Sequence, residues 1–548
     1  MRPTVSTRGY HLHCKDIPYL DKKGLLGLST KDAAIRVKLE ELLGWTDDAS
    51  RYECAAESTL EVSALSEQDH ALQLSRGKIG PEEDPKGTCK PLKVPEHAKS
   101  RNRAIQHPKM ANSVTAKHAP VGFVPYQDRH NAILKGVWTI DLDWSAFFDQ
   151  FELSREVRKY FAFKTKRGQV YSMRVLPMGL KHSVGVAHTA TLQLLNFAHV
   201  VYAEAYVDNV RMVADDKEAL IADAATLVVR CAEAGVTVNE LDVSVLRSLP
   251  SERRFDEAKR LVAPLCKQKG PWLGEEYDYV SKELDVAEKT KEKVRACLDA
   301  KRPTFRTFAA AAGVLQYASR TLAMPLAPYY AAIRAIAAVA WLLEGRPHLW
   351  DHPLPPMCES VMVNMRKWRA DILAAQPRKI STPAAPSLFI VVDASDEGWG
   401  AISVDEFGKT QFVKQKWSDR DRRIMDTRLS VRAEPEGIYR ACCRFIRPAK
   451  HATVYVATDS AAAAGALSKG HSRSYWMNHV NLRLQQTFPR SLVVVRHTPG
   501  KTNPADGVSR ELAEPTPGDY ERAVELADHA FTTWKVGTRG KGATQDCG

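Results

Sequence analysis

Four apolar runs of this chain carry a carboxylate where a strand would be buried: TIDLDW with Asp141 and Asp143, AYVDNV with Asp208, LFIVVDAS with Asp393, and VYVATDS with Asp459. Taking a charge out of water into such a run is costly unless it is paired, hydrogen-bonded or bound to a metal. Any fold of this chain must therefore bring something to each acid. Taken singly, an Asp at a strand end more often caps a turn or a helix, and Asp459 ahead of SAAAAGAL suits that use. Taken together, acids delivered from separate strands are how proteins hold Mg2+ for phosphoryl chemistry.

The chain is long enough for several such sites. Its 548 residues exceed one hydrophobic core, and a prior of roughly 150 residues per domain predicts three or four units. An excess of 78 Lys and Arg over 65 Asp and Glu gives a net charge of +13, which favours a polyanionic partner, nucleic acid first. Ten cysteines occur without a C-x-x-C pair, so neither a zinc nor a disulfide framework is readable. MRPTVSTRGYHLHCK lacks an apolar signal core, and the most apolar helical run, AAIRAIAAVAWLLEG, is short and carries Arg334. The expectation is an intracellular protein of the cytoplasm or nucleus, not secreted and without a membrane partner.

Texture changes along the chain. Residues 1–90 mix helical pieces such as TKDAAIRVKLEELLGW with a polar stretch, SRGKIGPEEDPKGTCK, that reads as a loop or linker, and no chemistry is readable there. Over 91–285, β-rich runs alternate with helical ones, which is α+β or α/β texture. Residues 286–375 are helical and Ala-rich, and QPRKISTPAAPS then breaks the chain, predicting a linker at 376–387. A second β-rich unit is expected over 388–530. The Gly-rich end, 531–548, reads as a flexible tail.

The order of pieces over residues 90 to 345 resembles the reverse transcriptases of retroelements. RNRAIQHPKMAN resembles the basic fingers segment, TIDLDWSAFFDQF the first catalytic motif, and VLPMGLKHSVGVAH the segment that packs on template and nucleotide. AYVDN resembles the Y-x-D-D hairpin with Asn209 in place of the second Asp, and PWLGEEYDYV the primer-gripping hairpin. Asp141 and Asp143 face the same way along a strand. The family has an aromatic residue five positions after its catalytic Asp, where it blocks a ribose 2′-OH; counting from Asp143 reaches Phe148, and from Asp141 only Ala146. The resemblance thus implies Asp143 and Asp208 as catalytic metal ligands. It implies Lys99, Arg101 and Arg103 facing the triphosphate, Phe148 on the sugar, Pro177, Met178 and Gly179 beneath the nascent base pair, and Trp272, Leu273 and Gly274 as the primer grip. A merely solvated basic loop remains the alternative for the 90–109 segment.

The C-terminal acids resemble the D, E, D, D order of ribonuclease H. Asp393 matches through VVDAS, Asp459 through ATDS and Asp506 through N-P-A-D; EPEGIYRA selects Glu434, with Glu436 as runner-up. His497 in RHTPGKTNPAD matches the loop His that assists water or product, although an exposed loop His without a role is equally common. The implied architecture is α+β and multidomain: a right-hand polymerase of palm, fingers and helical thumb, then a ribonuclease H-like mixed α/β domain. The implied activity is copying retroelement RNA into DNA and degrading the RNA of the RNA–DNA hybrid. The cofactor would be two Mg2+ at each site, or Mn2+ in their place; the partners would be an RNA template, a DNA or RNA primer, the hybrid and dNTPs, with a homodimer left open. D-A-S-x-x-G-W-G-A and N-P-A-D-G-V-S-R look most like the DIRS-like elements, which include VIPER and move by a tyrosine recombinase, with gypsy-like LTR elements second. Asn209 keeps a rival open, a catalytically weakened or inactive nucleic-acid-binding protein derived from such an element.

Overall fold

A computed structural model of the chain describes residues 10–96, 99–115, 121–300, 302–357, 359–382, 384–447 and 452–539. They form two compact units. One comprises the chain up to Leu273 with Tyr277–Glu283, the other Gly274–Glu276 with the chain from Leu284 on.

The first unit is built on a three-stranded antiparallel sheet in which Asn209–Ala214 lies between Trp138–Asp143 and Tyr202–Tyr206. The central strand is buried from Val210 to Ala214, the paired Arg211 included. Helix Lys217–Glu233 packs on it with Leu220, Ala224, Leu227 and Val228 buried, and the Asp216 side chain caps it by accepting the Glu218 and Ala219 N–H groups. A basic hairpin, Lys90–Glu96 paired with Arg101–His107, turns through Ser100 at φ 47°.

Residues 10–90 are not a separate region, contrary to the sequence reading. Leu20, Leu25, Leu39, Leu43 and Tyr52 share one core with Ile140, Phe151 and Leu220. Nor is SRGKIGPEEDPKGTCK a free linker: Ile79–Pro81 pairs with Tyr171–Met173, and Ile79 and Cys89 are fully buried. A three-residue strand is too short to register as an alternation.

In the second unit, helices Glu288–Ala296, Phe305–Thr321, Tyr330–Leu343 and Glu359–Ala374 enclose Phe308, Leu315, Ile333, Met365 and Trp368. A five-stranded mixed sheet follows. Thr410–Lys416, Gly398–Asp405 and Leu388–Ala394 run antiparallel, and Thr453–Thr458 and Leu492–His497 add in parallel. Both faces of Leu388–Ala394 are covered, Ile390 and Val392 by one cluster and Phe389 and Val391 by another that includes Ala523 and Ala527. The architecture is α+β and multidomain, as expected, with the three-stranded sheet first, then the helices, then the five-stranded mixed sheet.

The segment 376–387 lies inside the second unit, so the main division of the chain falls near 274–284 and not at the prolines. The helices and the mixed sheet domain touch directly: Asn478 Nδ2 donates to the buried Ala327 carbonyl at 2.7 Å, and the Tyr330 and Tyr475 rings meet edge-on at 5.7 Å. Helix Pro517–Arg539 runs through the first nine residues of the expected tail, whose remainder lies outside the described residues. Among the described residues, no helix is long and apolar enough to cross a membrane.

Candidate active sites

Strand register sets the first site. Asp143 lies opposite Asn209, and Asp141 opposite Arg211. The hairpin between Tyr206 and Asn209 turns through Val207 at φ 58°, bringing Asp208 alongside, where its carbonyl accepts the Trp144 N–H at 2.9 Å. Burial pushes the Asp208 carboxyl up to about 6, with the neighbouring Asp143 charge adding to the effect. Burial raises Asp143 as well, against the pull of the Asn239 amide and of Lys99, Lys15 and Arg103. Asn209 Nδ2 donates to Asp208 Oδ1 at 2.9 Å. Asp141 is engaged elsewhere, with Lys267 Nζ at 2.9 Å and Thr139 Oγ1 at 3.3 Å, which leaves Asp143 as the strand's acid without a lysine partner among the described residues.

The residues expected around the nucleotide are distributed unevenly. Lys99 and Arg103 come close enough to act on Asp143, yet Arg101 and Arg103 both pair with Glu96, at 2.5 and 3.0 Å. Phe148 is half-buried against the core, just past a left-handed turn at Ala146 (φ 43°). At Gly179 an added Cβ would lie 1.8 Å from the Gln106 carbonyl oxygen. The glycine is thus required by the basic hairpin packed against it, whatever a nascent base pair needs. Met178 N–H donates to Gln106 Oε1 at 3.3 Å and the Pro177 carbonyl accepts from Ser183 Oγ at 2.6 Å, fixing the rest of the turn.

The three residues expected to grip the primer differ in exposure, Leu273 and Gly274 being half-buried and Trp272 buried. Leu273 and Gly274 take positive φ, 50° and 91°, whereas Trp272 is 4% exposed and lies against the Arg211 guanidinium. Arg211 is completely buried. It pairs with Glu204, sits 4.3 Å from the Tyr277 ring centre, and donates to Tyr279 Oη at 3.3 Å and to the Arg129 carbonyl at 2.8 Å.

Three residues at the first site escaped sequence reasoning. Glu240 Oε2 accepts the Asp143 N–H at 3.0 Å, and burial raises its carboxyl with Asp143 and Asp141 adding to it. Asn239 Nδ2 donates to Asp143 Oδ2 at 2.8 Å, and Lys15 Nζ reaches Asn239 Oδ1 at 2.6 Å. The polar pair closing GVTVNE was a readable signal for the first two. Lys15, more than a hundred residues upstream in an irregular segment, offered none.

The second site is tighter. Asp393, Glu434 and Asp459 each offer an oxygen within 4.8 Å of the others. Asp393 ends its strand, and helix Ser430–Phe445 delivers Glu434 by passing so near that a Cβ on Gly437 would lie 3.1 Å from Ala394 Cβ. Burial lifts Asp393 to about 6, opposed by the Ser509 hydroxyl that donates to it; burial with the charges of Asp393 and Asp459 lifts Glu434 to about 9. Glu436 points elsewhere, bound by Arg440 at 2.9 Å and Arg483 at 2.7 Å, so Glu434 is the acid brought to the cluster. Asp506 stands outside the tight set, with its Oδ1 bonded by Arg510 Nε at 2.7 Å, though near enough for its charge to raise Asp393. His497 is exposed at the end of its strand, opposite Thr458. The buried Asp393 and Glu434, each raised in part by its acid neighbours and without an ion-pair partner among the described residues, fit a divalent cation held together with Asp459.

No curated protein matches the chain. Among solved structures, it is similar to the foamy viral protease-reverse transcriptase dRH in complex with double-stranded DNA, at 12% identity over 89% of this chain and 84% of that one, with a TM-score of 0.45. The foamy viral protease-reverse transcriptase with double-stranded DNA gives 12% identity over 87% and 96%, TM-score 0.43, and the same protein with RNA/DNA hybrid 11% over 88% and 64%, TM-score 0.45. Residues 84–248, which hold the basic hairpin, Asp143, Gly179 and Asp208, match the family described as reverse transcriptase (RNA-dependent DNA polymerase).

Proposed function

We propose that the chain is an RNA-directed DNA polymerase with a tethered ribonuclease H, copying retroelement RNA into DNA and degrading the RNA strand of the hybrid. The observation that carries this reading is the convergence of acids twice over: Asp143 beside Asp208 within the matched domain, and Asp393, Glu434 and Asp459 within 4.8 Å on a second sheet. Bound at each cluster, two Mg2+ or Mn2+ ions would supply Lewis acidity to the attacking and leaving oxygens of phosphoryl transfer.

The chain's own residues do the rest. Asp143 and Asp208 would hold the metals at the first site. Lys99, Arg101 and Arg103 neutralise the triphosphate, and Glu96 keeps the two guanidiniums in place until the more highly charged anion displaces it. Phe148 excludes a 2′-OH, Pro177 to Gly179 present backbone to the base pair, and Leu273 and Gly274 hold the primer with Trp272 beneath them. In the nuclease, Asp506 completes the set of Asp393, Glu434 and Asp459 when hybrid arrives, and His497 is exposed to assist water or product. RNA template, primer and dNTPs are the partners, and a DIRS-like element the source.

The two activities separate by mutation. Asp208→Ala should abolish primer extension and leave hybrid cleavage, and Asp393→Asn should do the reverse. Loss of both activities from folded protein carrying either change would refute the two-site reading. Asn209 favours a second reading, a retired polymerase that still binds nucleic acid. In that case wild-type protein extends no primer at any Mg2+ or Mn2+ concentration while hybrid cleavage persists.

A further inference from the structure

Residues 10–21 cross the first unit as an extended strap. Leu12 bridges to Asn102 of the basic hairpin, with the His13 N–H donating to the Asn102 carbonyl at 2.8 Å and the Asn102 N–H to His11 at 2.9 Å. Farther along, the Leu20 N–H donates to the Gln150 carbonyl at 2.9 Å and the Asp21 N–H to Ala234 at 2.8 Å. Between these anchors Lys15, half-buried, donates to Ser145 Oγ and to Asn239 Oδ1, both at 2.6 Å.

The Asn239 backbone is already fixed. Its N–H donates to the Asp143 carbonyl at 2.9 Å, and the Ser145 N–H donates to Thr237 at 2.9 Å, so residues 237–239 run as a short antiparallel partner of 143–145. Only the amide can turn. An ammonium has donors alone, so it must face the amide oxygen, and Nδ2 is then left to the Asp143 carboxylate, which can only accept. The reversed amide would set an N–H against Lys15 and an oxygen against Asp143, and both contacts would be repulsive.

From this geometry we infer that the N-terminal strap, through Lys15, fixes the orientation of the Asp143 carboxylate by locking the Asn239 amide. Lys15 is a positioning residue and not a catalytic one. The inference rests on the reading of Asp143 as a metal-holding acid.

Charge and position make opposite predictions for removal of this lysine. A cation that acted only by its charge would oppose a nearby dication, and its loss would tighten metal binding. Loss of a positioning bond weakens it, by about tenfold or more where a carboxylate's orienting partner is removed. The test is Mn2+ binding by electron paramagnetic resonance on the full chain, in an Asp393→Asn, Asp459→Asn background that silences the second site. Lys15→Met should weaken Mn2+ binding about tenfold and Lys15→Arg should restore it. Asn239→Ala should weaken binding equally, and adding Lys15→Met to it should change nothing further. In primer extension Lys15→Met should lower kcat with the dNTP KM within about twofold. Ser145→Ala, which removes only the other Lys15 contact, should leave Mn2+ binding as it is and so separates the relay from general loosening of the strap. Unchanged or tighter binding in Lys15→Met, or additive losses in the double variant, would overturn the inference. If Asp143→Asn fails to remove the Mn2+ signal, the metal reading of Asp143 falls and the inference with it; if it does remove it, an unaltered Lys15→Met overturns the strap alone.

Discussion

Replacing Asp393 by Asn should make the metal-free protein more stable while removing the hybrid cleavage proposed for its cluster. Asp393 is 2% exposed, and its carboxyl is lifted from the usual 3.8 to about 6, first by burial and then by Asp459 and Asp506. A displacement of roughly two units at about 1.4 kcal/mol each sets some 3 kcal/mol against the ionised form at pH 8. The folded carboxyl holds its proton to higher pH than the unfolded one. The stability linked to it is therefore full below about pH 4 and lost as pH rises through about 6. Asparagine has no charge to lose, its Oδ1 still accepts from Ser509, and its Nδ2 meets the Glu434 and Asp459 carboxylates as a donor. Relief of Glu434, itself raised in part by Asp393, works in the same direction. Allowing for imperfect hydrogen bonds, the net gain should be about 2 kcal/mol at pH 8 in EDTA, shrinking toward pH 5. Hydrogen exchange of the amides in Leu388–Ala394 and Thr453–Thr458 measures it locally, which suits a chain of two units better than one melting curve. Saturating Mg2+ should close or invert the difference, since the ions stabilise only the intact cluster. Lower protection in the variant at pH 8 in EDTA, or a difference independent of pH, would refute the electrostatic account.

Three further outcomes are expected. Phe148→Val should admit ribonucleotides, lowering dNTP over rNTP discrimination by about tenfold or more in single-nucleotide extension; unchanged discrimination would remove the reason for pairing Asp143 with that ring. Asn209→Asp should lower the Mg2+ concentration for half-maximal primer extension by up to about an order of magnitude. It should also cost the metal-free fold about 1 kcal/mol, because the bond to Asp208 Oδ1 is replaced by a like charge. Gly179→Ala should destabilise the first unit by about 3 kcal/mol or more in denaturant unfolding, since the Gln106 carbonyl cannot remain 1.8 Å from a Cβ.

The acids were legible because burying them is expensive, and expense leaves a mark in sequence: LFIVVD and TIDLD carry an anomaly that helices and loops do not. The sequence favoured Asp143 over Asp141 by a count to Phe148, whereas the pairing of Asp141 with Lys267 emerges only from a contact more than a hundred residues away. Glu434 and Glu436 are two apart on a helix and face different ways, so the fold separates what an acid count could not. Lys15 was invisible because an extended strap has no periodicity, its bonds being made to partners fixed by other elements. The prolines at 376–387 misled for a related reason. They break local structure but say nothing about whether the pieces on either side bury surface against each other, as Asn478 and Ala327 do.

Arg211 bears on how much of the chain must exist before the first site can be finished. Its guanidinium and Glu204 are made together on one hairpin, but the rings that enclose them, Trp272, Tyr277 and Tyr279, follow some sixty residues later. During synthesis the three-stranded sheet is thus left with an unsealed ion pair at its centre until residue 279 has emerged. An uncovered pair of this kind keeps its water, and the sheet can only complete its packing when the last tyrosine displaces it. The matched family segment ends at residue 248, so the stretch recognisable by descent is shorter than the stretch that can close as a body. Inheritance and assembly draw the boundary of this unit in different places.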